Sequence, residues 1–143
     1  MISDKLPAKK SATIVEGGLS GAAIAASVLE IHRRFCELLP EELLVVPHPS
    51  TKEPVPVIPG ELRTLDVEVG MHMAISPGAL PRFVARFEEV YGKLGKAETI
   101  LAAPAAHHRL LWIRPFLDGN GRVARLMSCA TLLEALNTGG ICF

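Results

Sequence analysis

Asp118, Gly119, Asn120, Gly121, Arg122 and Arg125 fall within eight residues and combine what a polyphosphate site needs. Asp118-Gly119-Asn120-Gly121 alone reads as a turn, and Asn-Gly is a strong hairpin signal. A hairpin requires an alternating strand on its far side. Here Val123, Leu126, Met127, Ala130, Leu133 and Leu136 recur at three- and four-residue spacing instead, which predicts a helix from about Gly121 to Asn137, closed by Gly139-Gly140. A glycine-rich turn entering a helix gathers N–H groups that lack intrahelical partners, and the helix dipole adds partial positive charge there. Gly119 and Gly121 carry no side chain to keep phosphate oxygens away. Arginines at a helix start oppose the dipole unless an anion is expected, and a guanidinium grips phosphate in a bidentate way. Asp118 offers a hard oxygen to Mg²⁺, an ion that takes few protein ligands beside phosphates. Taken singly, Arg125 also reads as a surface arginine and Asp118 as an N-cap; their concentration in one short stretch favours the anion site.

The run Pro115-Phe116-Leu117-Asp118-Gly119-Asn120-Gly121-Arg122-Val123-Ala124-Arg125 resembles the Fic-domain signature His-Pro-Phe-x-Asp/Glu-Gly-Asn-Gly-Arg-x-x-Arg without a break. The upstream segment Ala105 to Ile113 is similar to the helix that precedes the Fic loop. The resemblance implies an all-α fold, a Fic-type helical bundle with a small β-hairpin flap. It implies transfer of AMP from ATP to a Ser, Thr or Tyr hydroxyl of a target protein. Asp118 would hold Mg²⁺, Gly119, Asn120, Gly121 and Arg122 would contact phosphates, Arg125 would take the γ-phosphate, and Phe116 would anchor the loop. Related Doc-type kinases and phosphocholine transferases alter the Gly-Asn-Gly core, so its intact form points to ATP as an AMP donor.

One position departs from the signature. The resemblance implies a histidine at 114, the base that takes the hydroxyl proton, and the chain carries Arg114. Arginine stays protonated and has no acceptor atom. Losing a general base typically costs a factor of about 10²–10⁴. The expectation is an impaired adenylyltransferase; the alternative is a nucleotide-binding regulatory module without catalysis. His107 and His108 lie on the preceding helix, and both read as scaffold histidines rather than a replacement base.

A second, shorter resemblance lies upstream. Many Fic proteins are braked by Ser/Thr-x-x-x-Glu-Gly/Asn, whose glutamate pairs with the second loop arginine. Glu16-Gly17 matches, while the position four before Glu16 is Ala12, flanked by Ser11 and Thr13. Glu16 is thereby a candidate inhibitory residue.

The rest of the chain must position these groups. Its 143 residues suit one domain, with 1–10 a flexible N-terminal arm and 11–143 the Fic domain, including a candidate inhibitory segment 11–18 and a truncated C-terminal end. Ile24, Val28, Ile31 and Phe35 form one stripe of a helix from about Ser20 to Leu39. Six prolines from Pro40 to Pro59 predict an extended connection. Leu65 to Val69 alternates as a strand and forms a small hairpin with Met71-His72-Met73 or with the segment before it. This region, near 62–75, falls where Fic proteins carry the flap that docks a target segment as an added strand. Leu80, Phe83, Val84, Phe87, Val90, Tyr91 and Leu94 mark a helix with Pro81 in its first turn. Another runs from about Ala97 to Ile113, and Pro104 should kink or restart it.

Fifteen basic residues balance fifteen acidic ones, which leaves no electrostatic footprint for nucleic acid or an anionic membrane. No apolar run reaches transmembrane length. Three irregularly spaced cysteines argue against a disulfide framework and suit the cytoplasm. No ligand spacing for zinc occurs among the histidines and cysteines. The expected partners are ATP with Mg²⁺ and a protein bearing an exposed hydroxyl; the pattern is also compatible with an oligomer.

Overall fold

The structure, a computed structural model, describes residues 24–136. The arm, the segment 11–18 with Glu16, and the glycines after 136 lie outside the described residues. Four helices carry the fold: α1 (Ile24–Glu37), α2 (Leu80–Tyr91), α3 (Lys96–Ile113) and α4 (Asn120–Leu136). α4 packs chiefly on α3 and also on α1, while α2 packs on both α1 and α3. The fold is all-α with small hairpins, as the resemblance implied.

The predicted helical stripes point inward. Val28, Ile31 and Phe35 of α1, Leu80 and Phe87 of α2, Leu110 and Ile113 of α3, and Val123, Leu126 and Met127 of α4 are buried together with Phe116. Val90 departs from its predicted stripe and is exposed. On the outer face of α1, Glu30 accepts from Arg33 and Arg34, and Arg33 also reaches Glu37. α1 unwinds through i,i+3 bonds from Leu38 and Leu39 into Pro40, which cannot continue it. α3 starts at Gly95, whose N–H is taken by the Glu98 carboxylate.

Three local expectations need correction. Pro104 does not restart the helix; α3 is one element through it. The proline lies on the exposed face of α3, where only its own missing N–H is lost and packing on α4 and α2 is preserved. The proline-rich connection is not simply extended. A 3-10 turn (Glu41–Leu43) leads into a strand pair, β1 (Val45–Pro47) with β2 (Pro54–Pro56), in which Val46 faces Val55. With only two strands, every proline sits on an edge, where its missing donor is tolerated. The predicted strand over 65–69 is real but shorter: β3 (Glu68–Val69) pairs with β4 (His72–Met73) around Gly70-Met71. Gly70 has φ 61, at the first central position where a type II′ turn takes glycine. Just beyond the ladder, the Leu65 and Ile75 carbonyls accept from the Arg63 guanidinium.

Among the described residues, no helix is long and apolar enough to cross a membrane. Cys36 is a buried free thiol.

Candidate functional site

The loop 114–119 joins the C-terminal end of α3 to the N-terminal end of α4. Arg114 ends α3 in the left-handed region (φ 49, ψ 69), with its N–H bonded to the Leu110 carbonyl at 3.0 Å. That is the αL cap, a conformation costing a non-glycine residue about 1–2 kcal/mol. Histidine and asparagine enter this region more readily than most side chains. Arg114 is half-buried, and its Nε is a buried donor with no hydrogen-bond partner among the described residues. Such an atom in a cationic side chain is what an anion at the loop would satisfy.

Beyond Arg114 the loop is locked from inside. Phe116 is fully buried and stacks on the His32 ring at 3.8 Å with an interplanar angle of 1°. Asn120 clamps the same residue: Phe116 N–H donates to Asn120 Oδ1 at 3.0 Å, and Asn120 Nδ2 donates to the Phe116 carbonyl at 2.7 Å. The Asn120 side chain is thus engaged within the loop, and its backbone N–H, at the start of α4, is the group it can offer a phosphate.

His32 completes the lock, and its tautomer follows from its partners. The Gly60 N–H donates to Nδ1 at 2.9 Å, so Nδ1 is the acceptor and Nε2 carries the proton, which it donates to the Asp118 carbonyl at 3.1 Å. Burial pulls the His32 pKa down to about 4, against the raising effect of Asp118. Nothing in the sequence singled out this histidine. Beside it, burial pushes the Cys36 thiol up to about 12, so that it stays protonated and unreactive.

Gly119 and Gly121 serve different ends. Gly119 has φ 84, and a Cβ there would lie 3.1 Å from Phe35 Cε1 and 3.5 Å from His32 Cδ2. Its absent side chain lets the loop pack on α1. The Gly119 carbonyl accepts the first helical bond of α4, from Val123 N–H at 3.0 Å. Asp118 therefore sits one residue before the cap, and its Oδ1 accepts from Gly119 N–H at 2.8 Å. A Cβ on Gly121 meets no heavy atom of the described residues within 4 Å, so none of them covers the first turn of α4 there. Arg122 is half-buried and Arg125 exposed on the same helix start.

The metal question turns on donor chemistry. Among the described residues, no three His, Cys, Asp or Glu side chains gather as a metal cage. Asp118 is the single carboxylate of the loop, and one carboxylate beside phosphate oxygens and water suits Mg²⁺. The residues fit that ion as a companion of a polyphosphate and not as a free-standing site.

His107 is engaged by α4. Its Nδ1 donates to the Ala124 carbonyl at 3.2 Å and lies 3.0 Å from Ser128 Oγ, tying α3 to α4. His108 is exposed on the outer face of α3.

Arg63 also holds the loop, and nothing in the sequence singled it out. It is 3% exposed, and its main-chain N–H donates to the Pro115 carbonyl at 2.9 Å. Its guanidinium Nε donates to the Arg114 carbonyl at 2.6 Å. Burial lowers its pKa from the usual arginine value, with Asp66 acting in the opposite direction.

The chain matches the Fic/DOC family over residues 24–132. It is 37% identical over 113 residues to the protein adenylyltransferase Fic of Culex quinquefasciatus, covering 76% of this chain and 19% of that protein. It is 34% identical over 110 residues to the proteins of the same name in Drosophila grimshawi and Drosophila erecta. Those matches cover 76% of this chain and 20% and 19% of the two fly proteins. The chain thus spans about a fifth of the length of these curated relatives.

Proposed function

This chain belongs to the Fic/DOC family, and from that premise we propose that its loop binds ATP with Mg²⁺ as a donor of AMP to a protein hydroxyl, with the transfer step impaired at Arg114. The observation that carries the reading is the first turn of α4. Among the described residues nothing covers it at Gly121, while His32 and Asn120 hold the preceding loop rigid. A preorganised turn of this kind meets a phosphate without reorganising. The name shared by the three relatives, protein adenylyltransferase, supports the AMP-transfer reading.

In this reading Gly119, whose own N–H is held by Asp118, leaves the approach open, the backbone N–H groups of Asn120 and Gly121 and the Arg122 guanidinium bind phosphate oxygens, and Arg125 takes the γ-phosphate. Asp118 would hold Mg²⁺, which when bound neutralises polyphosphate charge and steadies the leaving pyrophosphate. The target's hydroxyl oxygen forms a bond to the α-phosphorus as the α–β anhydride bond breaks and pyrophosphate departs. The hydroxyl proton must then go elsewhere. Arg114 is already protonated and has no acceptor, so water takes the proton and the step loses about 10²–10⁴ in rate. Binding does not suffer by the same argument, because an added cation with an unsatisfied buried Nε favours the anion.

The flap β3–β4 is the proposed docking edge for the target. Its apolar side chains are turned to solvent, with Met71 fully exposed and Val69 and Met73 also exposed. An extended segment pairing there would add a strand. On the sequence resemblance, Glu16 acts as a brake by pairing with Arg125. The second reading, a nucleotide-binding module without catalysis, is favoured by one residue, Arg114. Calorimetric titration with ATP, with and without Mg²⁺, tests the shared part of both readings. Binding that depends on Mg²⁺ and weakens in Arg122→Ala is expected; absence of binding overturns both.

A further inference from the structure

Arg63 is a buried cation whose hydrogen-bonded partners among the described residues are all backbone carbonyls. Those carbonyls belong to two places that a transfer reaction must keep in register. Nε donates to the Arg114 carbonyl at 2.6 Å, and one terminal nitrogen reaches the Ile113 carbonyl at 3.4 Å. The Arg63 N–H takes the Pro115 carbonyl. All three carbonyls around position 114 are thus held by one residue. On its other side the same guanidinium donates to Leu65 at 2.9 Å and to Ile75 at 2.5 Å. These two residues flank the base of the β3–β4 hairpin, whose last cross-strand bond runs from Ala74 N–H to the Val67 carbonyl.

A planar fork with fixed donor directions can hold several carbonyls at once, and a lysine ammonium cannot reproduce that geometry. The positive charge also suits the C-terminal end of α3, where unpaired carbonyls and the helix dipole gather negative potential. A second tie lies farther out on the flap: His72 Nε2 donates to the Trp112 carbonyl at 3.1 Å, and its ring lies tilted against the Trp112 ring at 6.0 Å. The phosphate-binding turn is secured independently, by His32 and Asn120.

We propose that Arg63 is a positioning residue that couples the flap to position 114, so that a segment docked on the flap is presented at a set distance from that position. Nucleotide binding and flap placement are then separable, because different residues hold them. The coupling rests on the contacts above; its catalytic consequence rests on the AMP-transfer reading.

The test compares the full chain with Arg63→Lys and His72→Ala by amide hydrogen exchange, followed by Mg·ATP titration. Arg63→Lys is expected to speed exchange of the flap amides from Val69 to Met73 at least tenfold, while α3 and α4 exchange and the Mg·ATP dissociation constant stay within about twofold. Exchange that rises throughout the helices makes Arg63 a general fold residue and overturns the proposal, as does unchanged flap exchange. Should Arg63→Lys not fold, His72→Ala carries the test at a half-buried position: a selective rise at the flap supports the coupling, and no rise overturns it. In the Arg114→His background, Arg63→Lys should then lower the rate of self-AMP transfer about tenfold without changing Mg·ATP affinity. If the Arg114→His parent itself binds ATP and transfers nothing, the AMP-transfer reading fails while the exchange result still decides the coupling.

Discussion

His32 and Phe116 stack face to face at 3.8 Å, and the same imidazole bonds the Gly60 N–H and the Asp118 carbonyl. One neutral ring thus joins α1, the turn after β2 and the loop before α4. Its neutrality is a structural requirement, since a protonated ring loses the acceptor that Gly60 needs.

The pH dependence of stability follows from that requirement. His32 titrates near 6.5 when the chain is unfolded and near 4 when it is folded, chiefly because burial penalises the charge. Between those values the unfolded chain binds a proton that the folded chain does not. Stability from this residue is therefore complete above pH 6.5 and is lost as pH falls towards 4, by roughly 3 kcal/mol. Urea unfolding at about pH 7.5 and about pH 4.5 should show this loss in the chain and a much smaller one in His32→Gln. Equal losses in the two proteins would mean that other groups set the dependence.

The two loop glycines should separate stability from binding. Gly119→Ala forces a Cβ to 3.1 Å from Phe35 at φ 84, and should destabilise the fold by about 1–3 kcal/mol. Gly121→Ala adds a methyl to open space in a helical turn, so stability should hold or rise by up to about 1 kcal/mol. Its effect should fall on Mg·ATP affinity, because the methyl occupies the approach of the phosphate oxygens. Chemical denaturation and calorimetry read the two effects separately. Gly121→Ala binding ATP as the parent does would place the phosphates elsewhere.

Glu16→Gly should raise ATP affinity, since a carboxylate paired with Arg125 competes with the γ-phosphate. A titration that returns the parent's dissociation constant refutes the brake.

Much of this site was legible because its information is local. Gly119, Asn120, Gly121, Arg122 and Arg125 are residue types at fixed offsets from a helix start, and the stripe Val28, Ile31, Phe35 carries the helical period in the sequence itself. The small hairpin β3–β4 was legible through Gly70 and the alternation before it. What stayed hidden depends on distant pairing. His32 acquires its role from partners 28 and 86 residues away. Arg63 bonds the backbone of residue 114 across 51 residues, and carbonyl partners leave no residue-type signature to read. The division of labour between Gly119 and Gly121 was equally hidden, since it depends on where α1 lies.

The central claim is that the nucleotide site is present and the proton acceptor is missing. It is tested most directly by measuring Mg·ATP binding and self-AMP transfer, side by side, for the chain and for Arg114→His. The αL conformation at this position accepts histidine, so the substitution should leave the fold intact. We expect both proteins to bind Mg·ATP and the transfer rate to rise about 10²–10⁴-fold in Arg114→His. A transfer rate that does not change on restoring the histidine, in a protein that still binds ATP, would contradict the account.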